Sequence, residues 1–130
     1  MRPLNVLICG SDKPVLRRMA QVLSDEGINV ETSSHPIDHL SYNQTGWDFL
    51  LIDLDGLNSF LRSMLPGIAK MFPHISMVGI STKTSANEIL NSNMGLKLDA
   101  CLNRVPSVED LIVCSPRVAA KYQDGTRPLH

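Results

Sequence analysis

The sequence has almost no surplus of charge: twelve Lys and Arg against thirteen Asp and Glu leave a formal −1. Such a balance gives no general pull toward nucleic acid or an anionic membrane surface. Long hydrophobic runs are missing, since no stretch approaches the ~18 apolar residues of a membrane span. The start, Met1-Arg2-Pro3-Leu4-Asn5, lacks the apolar segment and small-residue cleavage site of a secretory signal. Cysteine is scarce and unpatterned. Cys9, Cys101 and Cys114 are an odd set without a CxxC spacing. Cys9 and Cys101 sit inside apolar runs, where buried reduced thiols are usual. The expectation is structural thiols in a cytoplasmic protein, with redox sensing by Cys114 as the alternative. The sequon Asn43-Gln44-Thr45 reads as an accident in a chain with no other sign of secretion. Internal repeats and low-complexity segments are also missing.

What is present is an ordinary globular composition, 43% hydrophobic and 19% charged over 130 residues. That length suits one domain, expected over 1–122, followed by a polar tail or linker at 123–130. Short apolar runs alternate with helical patterns. The runs are Leu4 to Cys9, Asn29 to Thr32, Phe49 to Ile52, Ile75 to Ile80 and Ala100 to Leu102. The second is the weakest and reads as nearer an edge; the others suit strands covered on both faces.

Helix signals lie between them. Asp12 is placed to cap a helix carrying Val15, Leu16, Met19, Val22 and Leu23 on one stripe, and Gly27 to end it. Pro36 suits the first position of a short second helix. A third pattern holds Leu61, Met64, Leu65, Ile68 and Phe72. Pro66 confines its regular start to about Ser63, because a missing N–H is harmless only in the first turn. Ser85 with Glu88 forms a capping box for a fourth helix that Gly95 stops. Ser107 with Asp110 caps a fifth, in which Pro116 predicts a kink or break near Cys114-Ser115. Five strands alternating with five helices favour a parallel sheet with helices on both faces. Ligand sites in such sheets lie beyond the carboxyl ends of the strands. That selects Gly10-Ser11-Asp12, Asp53-Leu54-Asp55, Ser81-Thr82-Lys83 and Asn103-Arg104.

On Asp53 after Phe49-Leu50-Leu51-Ile52, Ser81 after Met77-Val78-Gly79-Ile80, and the run Asp99 to Ser107, nearly the whole chain resembles the receiver domain of two-component response regulators. The resemblance rests on spacing and hydrophobic pattern more than on motif identity. It implies a flavodoxin-like α/β fold, a (βα)5 doubly wound parallel sheet of order 2-1-3-4-5. It implies that Asp53 is the phosphoacceptor position, that Ser81 is the hydroxyl that senses the phosphoryl group, and that Mg²⁺ assists. The implied chemistry is in-line attack of the carboxylate on a phosphohistidine to give an acyl phosphate. A cation would bridge, Ser81 and Arg104 would steady the phosphoryl oxygens, and the domain would otherwise be no enzyme. Implied partners are a histidine kinase or another signalling protein. A homodimer through the fourth helix, fifth strand and fifth helix is a further implied contact; direct binding to nucleic acid or membrane is not.

The departures are specific. Where the family has two adjacent acids after strand one, this chain has Gly10-Ser11, with Asp12 one place on. The family's lysine is Arg104, its following proline is Val105, and its aromatic switch position is Cys101. Mg²⁺ prefers hard oxygen ligands in near-octahedral geometry. A carboxylate near a cation is worth roughly 4 kcal/mol gross at ~4 Å and an effective dielectric of ~20, much of it returned as desolvation. Losing two weakens such a site by ~3 kcal/mol, on the order of a hundredfold. Asp12 and Asp55, with Asp53, are the remaining candidate metal ligands for a weak or absent Mg²⁺ site.

Arg104, a larger planar fork than lysine, is placed to pair with Asp53 and imitate one signalling state. The preferred reading is a receiver-like domain with a degenerate pocket, acting through protein–protein interaction. One alternative is a conventional receiver in which Asp12 and Asp55 rebuild the pocket. Another is a flavodoxin-like module that binds a nucleotide or other small molecule, with Gly10-Ser11-Asp12-Lys13 as a phosphate cradle. His35 and His39 have helix-ligand spacing, but with no third ligand nearby they read as surface residues. Asp55-Gly56 also reads as a simple turn.

Overall fold

The computed structural model describes residues 4–42, 46–82 and 98–115. Its elements run β1 (Asn5–Cys9), α1 (Lys13–Asp25), β2 (Asn29–Ser33), α2 (Pro36–Tyr42), β3 (Phe49–Asp53), a 3₁₀ turn at Leu54–Gly56, α3 (Ser59–Met71), β4 (Ser76–Ile80), β5 (Ala100–Leu102) and α4 (Val108–Cys114). The last of these is the helix that the sequence predicts as the fifth. The expected Ser85–Glu88 capping box and Gly95 stop, the sequon, Lys83, the 122/123 boundary and the polar tail lie outside the described residues; the break expected near Cys114-Ser115 is seen, since α4 ends at Cys114 and Ser115 is extended.

The five strands form one parallel sheet in the order β2-β1-β3-β4-β5. Side chains alternate across a strand, so each inner strand feeds two cores. Val6, Ile8, Phe49, Leu51, Val78 and Ile80 pack on Leu16, Met19 and Leu23 of α1 and Leu111 of α4. Leu7, Cys9, Leu50, Ile52 and Met77 pack on Leu40 of α2 and Leu65 and Ile68 of α3. Burial on both faces is what the unbroken apolar runs require. At the edge, β2 is mostly exposed, in keeping with its weaker pattern.

The caps set the loops at the carboxyl ends of the strands. Asp12 Oδ1 accepts from the Val15 amide at 3.4 Å, and Gly27, at φ +83, ends the α1 segment. A left-handed residue at that place favours glycine because it has no Cβ. Ser107 and Asp110 form a reciprocal capping box at α4. The start of α3 corrects the sequence reading. It begins at Ser59, not near Ser63, with Pro66 inside the helix. Asn58 Oδ1 accepts from Leu61 N at 2.8 Å and fixes that start. Pro66 removes the bond to the Arg62 carbonyl on the exposed side of the helix, where solvent can replace it. The buried stripe of Leu61, Leu65 and Ile68 holds the remaining turns together.

Candidate functional site

The register puts Cys9, Ile52, Gly79 and Cys101 in one row across the sheet. Asp53 is one residue further along β3, at the carboxyl end of the sheet. The chain then turns at once into the 3₁₀ segment, which folds back over the strand ends. Gly79 permits this fold: a Cβ there would lie 2.7 Å from Leu54 Cδ1. Gly56 comes still closer to the centre. A Cβ on it would stand 2.5 Å from Asp53 Oδ2 and 3.3 Å from the Asp12 Cβ.

Asp53 is therefore covered, with 3% of its surface exposed. Burial raises its carboxyl above the usual value of 3.8. The Gly56 N–H donates to it and opposes the rise, while the charges of Asp55 and Asp12 add to it.

Asp55 is engaged in a different way. Ser81 Oγ donates to Asp55 Oδ1 at 2.7 Å, and Thr82 N and Oγ1 donate to Asp55 Oδ2 at 2.9 and 3.2 Å. The Gly56 carbonyl accepts from both Ser11 N, at 3.1 Å, and Ser11 Oγ. Ser81 N donates to Leu102 O at 3.0 Å. The 3₁₀ segment is thus fastened to the end of β1 on one side and to the end of β4 on the other, and β4 is continued onto β5.

The structure brings Asp12, Asp53, Asp55 and Ser81 into one region, and it separates Arg104 from them. The Arg104 Nη2 lies 3.1 Å from each oxygen of Asp110, and its side chain is 72% exposed. The expected Arg104–Asp53 pairing is thereby corrected. The capping box fixes the Asp110 carboxylate six residues along the chain, and the guanidinium takes that local partner. Two residues that sequence reasoning undervalued are Thr82, selected only as part of the Ser81-Thr82-Lys83 loop, and Arg18. Arg18 lines a cleft of about 360 Å³ together with Asp12, Asp53 and Asp55, and Val15, Met19 and Val105 form apolar wall. Its place beside Val15, Met19 and Val22 on the α1 repeat was the available signal.

The carboxylates do not fit the Mg²⁺ role that the resemblance implies. Asp12 caps α1, Asp53 lies under Gly56, and both oxygens of Asp55 accept hydrogen bonds. Among the described residues no group of three or more His, Cys, Asp or Glu side chains is arranged to hold a metal ion. Ser11, at one of the family's acidic positions, supplies hydrogen bonds to Gly56 instead.

The phosphate-cradle residues also diverge. Gly10 and Lys13 line a second cleft with Arg17 and Ser33, whereas Ser11 turns to Gly56 and Asp12 to the helix cap. His39 Nε2 lies 3.0 Å from Glu31. All three cysteines are free. Burial, then the Asp53 charge, pushes the Cys9 thiol up to about 12. The Cys101 and Cys114 thiols are raised as well, burial again being the largest cause.

No family profile matches the chain, and no curated protein matches it. Solved structures do. A response regulator receiver domain from Clostridium thermocellum superposes with a TM-score of 0.65 at 17% identity, over 95% of this chain and 99% of that one. A CheY-like receiver domain from Methanospirillum hungatei gives 0.61 at 20% identity, over 95% and 96%. A pilus assembly protein, cpaE, from Burkholderia thailandensis gives 0.62 at 20% identity, over 90% and 98%. The chain has the fold of response-regulator receiver domains. Within that class, its 2-1-3-4-5 parallel sheet is the flavodoxin-like arrangement.

Proposed function

We propose that this chain is a receiver-like signalling domain of two-component phosphorelay systems that works by binding another protein, with Asp53 as a phosphoacceptor position that is little used or unused. It would act in the cytoplasm, as a binding module and not as an enzyme acting on a separate substrate. The observation that carries this reading is the covered state of Asp53. The carboxyl sits under Gly56 with its charge disfavoured by burial, and the hydroxyl at the sensing position already donates to Asp55. An incoming phosphoryl group would meet the carboxylates of Asp12, Asp53 and Asp55 with Arg18 in the same cleft, while Arg104 is held away on Asp110.

Incubation with acetyl phosphate and millimolar Mg²⁺, followed by intact-mass measurement, tests this. The expected result is the same spectrum for the wild type and Asp53→Asn. A phosphoryl adduct present in the wild type and lost in Asp53→Asn would overturn it in favour of a conventional receiver with a rebuilt pocket. The likeness to cpaE supports one variant of the reading, in which the bound protein belongs to an assembly apparatus and not to a kinase pathway. The nucleotide-module alternative predicts a rise in melting temperature with nucleotides. The divergence of Ser11 and Asp12 from Gly10 and Lys13 speaks against that rise.

A further inference from the structure

Three donors at the end of β4 converge on one carboxylate. They are the Ser81 hydroxyl, the Thr82 hydroxyl and the Thr82 amide, at 2.7 to 3.2 Å from Asp55. Ser81 is 1% exposed, so its hydroxyl needs a partner inside the protein. Asp55 follows Asp53 by two residues, and the segment that carries it is pinned from the other side by Ser11. A tethered and oriented acceptor of this kind competes strongly with any free one, and hydrogen bonds to an ionised acceptor are the stronger ones.

We infer that Asp55 is a built-in anion. Its carboxylate holds the Ser81–Thr82 donors at all times and fixes the end of β4 in one conformation with no covalent modification. This rests on the reading of Asp53 as an unused phosphoacceptor position, because the donors that Asp55 takes are those a phosphoryl group on Asp53 would need. The continuation from Ser81 N to Leu102 O carries the same constraint to β5.

The test replaces Asp55 by Ala in the full chain and follows the Thr82 amide by NMR and hydrogen exchange. In Asp55→Ala the amide resonance moves and its exchange quickens by roughly tenfold, as the loss of one charge-assisted bond implies. Acetate or inorganic phosphate, added at matched ionic strength against chloride, returns it toward the wild-type position by filling the vacated donors. The wild type does not respond to either anion. Asp55→Asn preserves the shape and guards against failure of the alanine variant to fold; its Thr82 amide falls between the two.

An unmoved Thr82 amide in these variants overturns the inference, and so does an effect of acetate and phosphate no greater than that of chloride. A phosphoryl adduct on wild-type Asp53 is a separate outcome, which overturns the underlying reading whatever Asp55 does. A wild type without the adduct but with an indifferent Thr82 overturns the inference alone.

Discussion

Asp53 has opposite demands placed on it by its surroundings. Burial, followed by the nearby charges of Asp55 and Asp12, favours the protonated carboxyl, and the N–H groups of Gly56 and Asp55 favour the ionised one. The net rise fixes the sign of a pH effect. The folded state binds a proton more readily than the unfolded chain, so the native protein loses stability as pH rises from 3.8 through the raised value. Above that window the penalty is present in full. Asp53→Asn removes it. Its melting temperature is therefore higher than the wild type's at neutral pH, and the difference shrinks to nothing as pH falls below the ordinary carboxylate range. Paired thermal scans across pH check this, and a difference that grows on acidification contradicts it. Gly56 gives a second test. An alanine Cβ would press within 2.5 Å of Asp53 Oδ2, and overpacking of this kind costs about 1–3 kcal/mol. Denaturant titration of Gly56→Ala measures the cost.

At the scale of elements, the caps decide where the chain turns toward the site. Ser107 at the α4 N-cap accepts from Asp110 N at 3.2 Å, and Ser107→Ala is expected to cost about 1 kcal/mol in denaturant titration. Asp110 is held below the usual carboxylate range, first by the Ser107 N–H and then also by Arg104. Its contribution is present above the ordinary value and lost as pH falls through the lowered one, the reverse of Asp53. Asn58→Ala is expected to cost a similar ~1 kcal/mol. No loss would favour a helix starting near Ser63, as Pro66 alone implies.

These elements also show what the sequence made legible. The apolar runs and the Asp12, Gly27, Pro36 and Ser107 signals placed every described strand and the starts of α1, α2 and α4, because each rests on local chemistry. Asn58 is as local a signal as these, but the sequence reading takes the start of α3 from Pro66 alone. The positions of Asp53 and Ser81 followed from strand ends. The direction of Arg104 did not, because a long exposed side chain takes whichever carboxylate its own loop presents. The 3₁₀ segment was hidden for another reason. Leu54-Asp55-Gly56 reads as a turn until the tertiary contacts of Leu54 over Gly79 and of Asp55 with Ser81 and Thr82 are known.

Across the whole molecule, the ends of β1, β3, β4 and β5 are joined by hydrogen bonds among Ser11, Gly56, Asp55, Ser81, Thr82 and Leu102. In the proposed reading these bonds replace a cation and a phosphoryl group, so signalling does not wait on either. The residues that change most from the receiver pattern, Gly10 and Ser11, lie on this seam: Gly10 packs within reach of Asp53, and Ser11 bonds to Gly56. A partner would then recognise one standing surface, and its control would come from supply or competition and not from phosphorylation.

The most direct measurement is an amide NMR spectrum of the wild-type chain with and without beryllofluoride in the presence of Mg²⁺. The account predicts superimposable spectra. Shifts concentrated at Asp53, Ser81 and Thr82 that disappear in Asp53→Asn would contradict it.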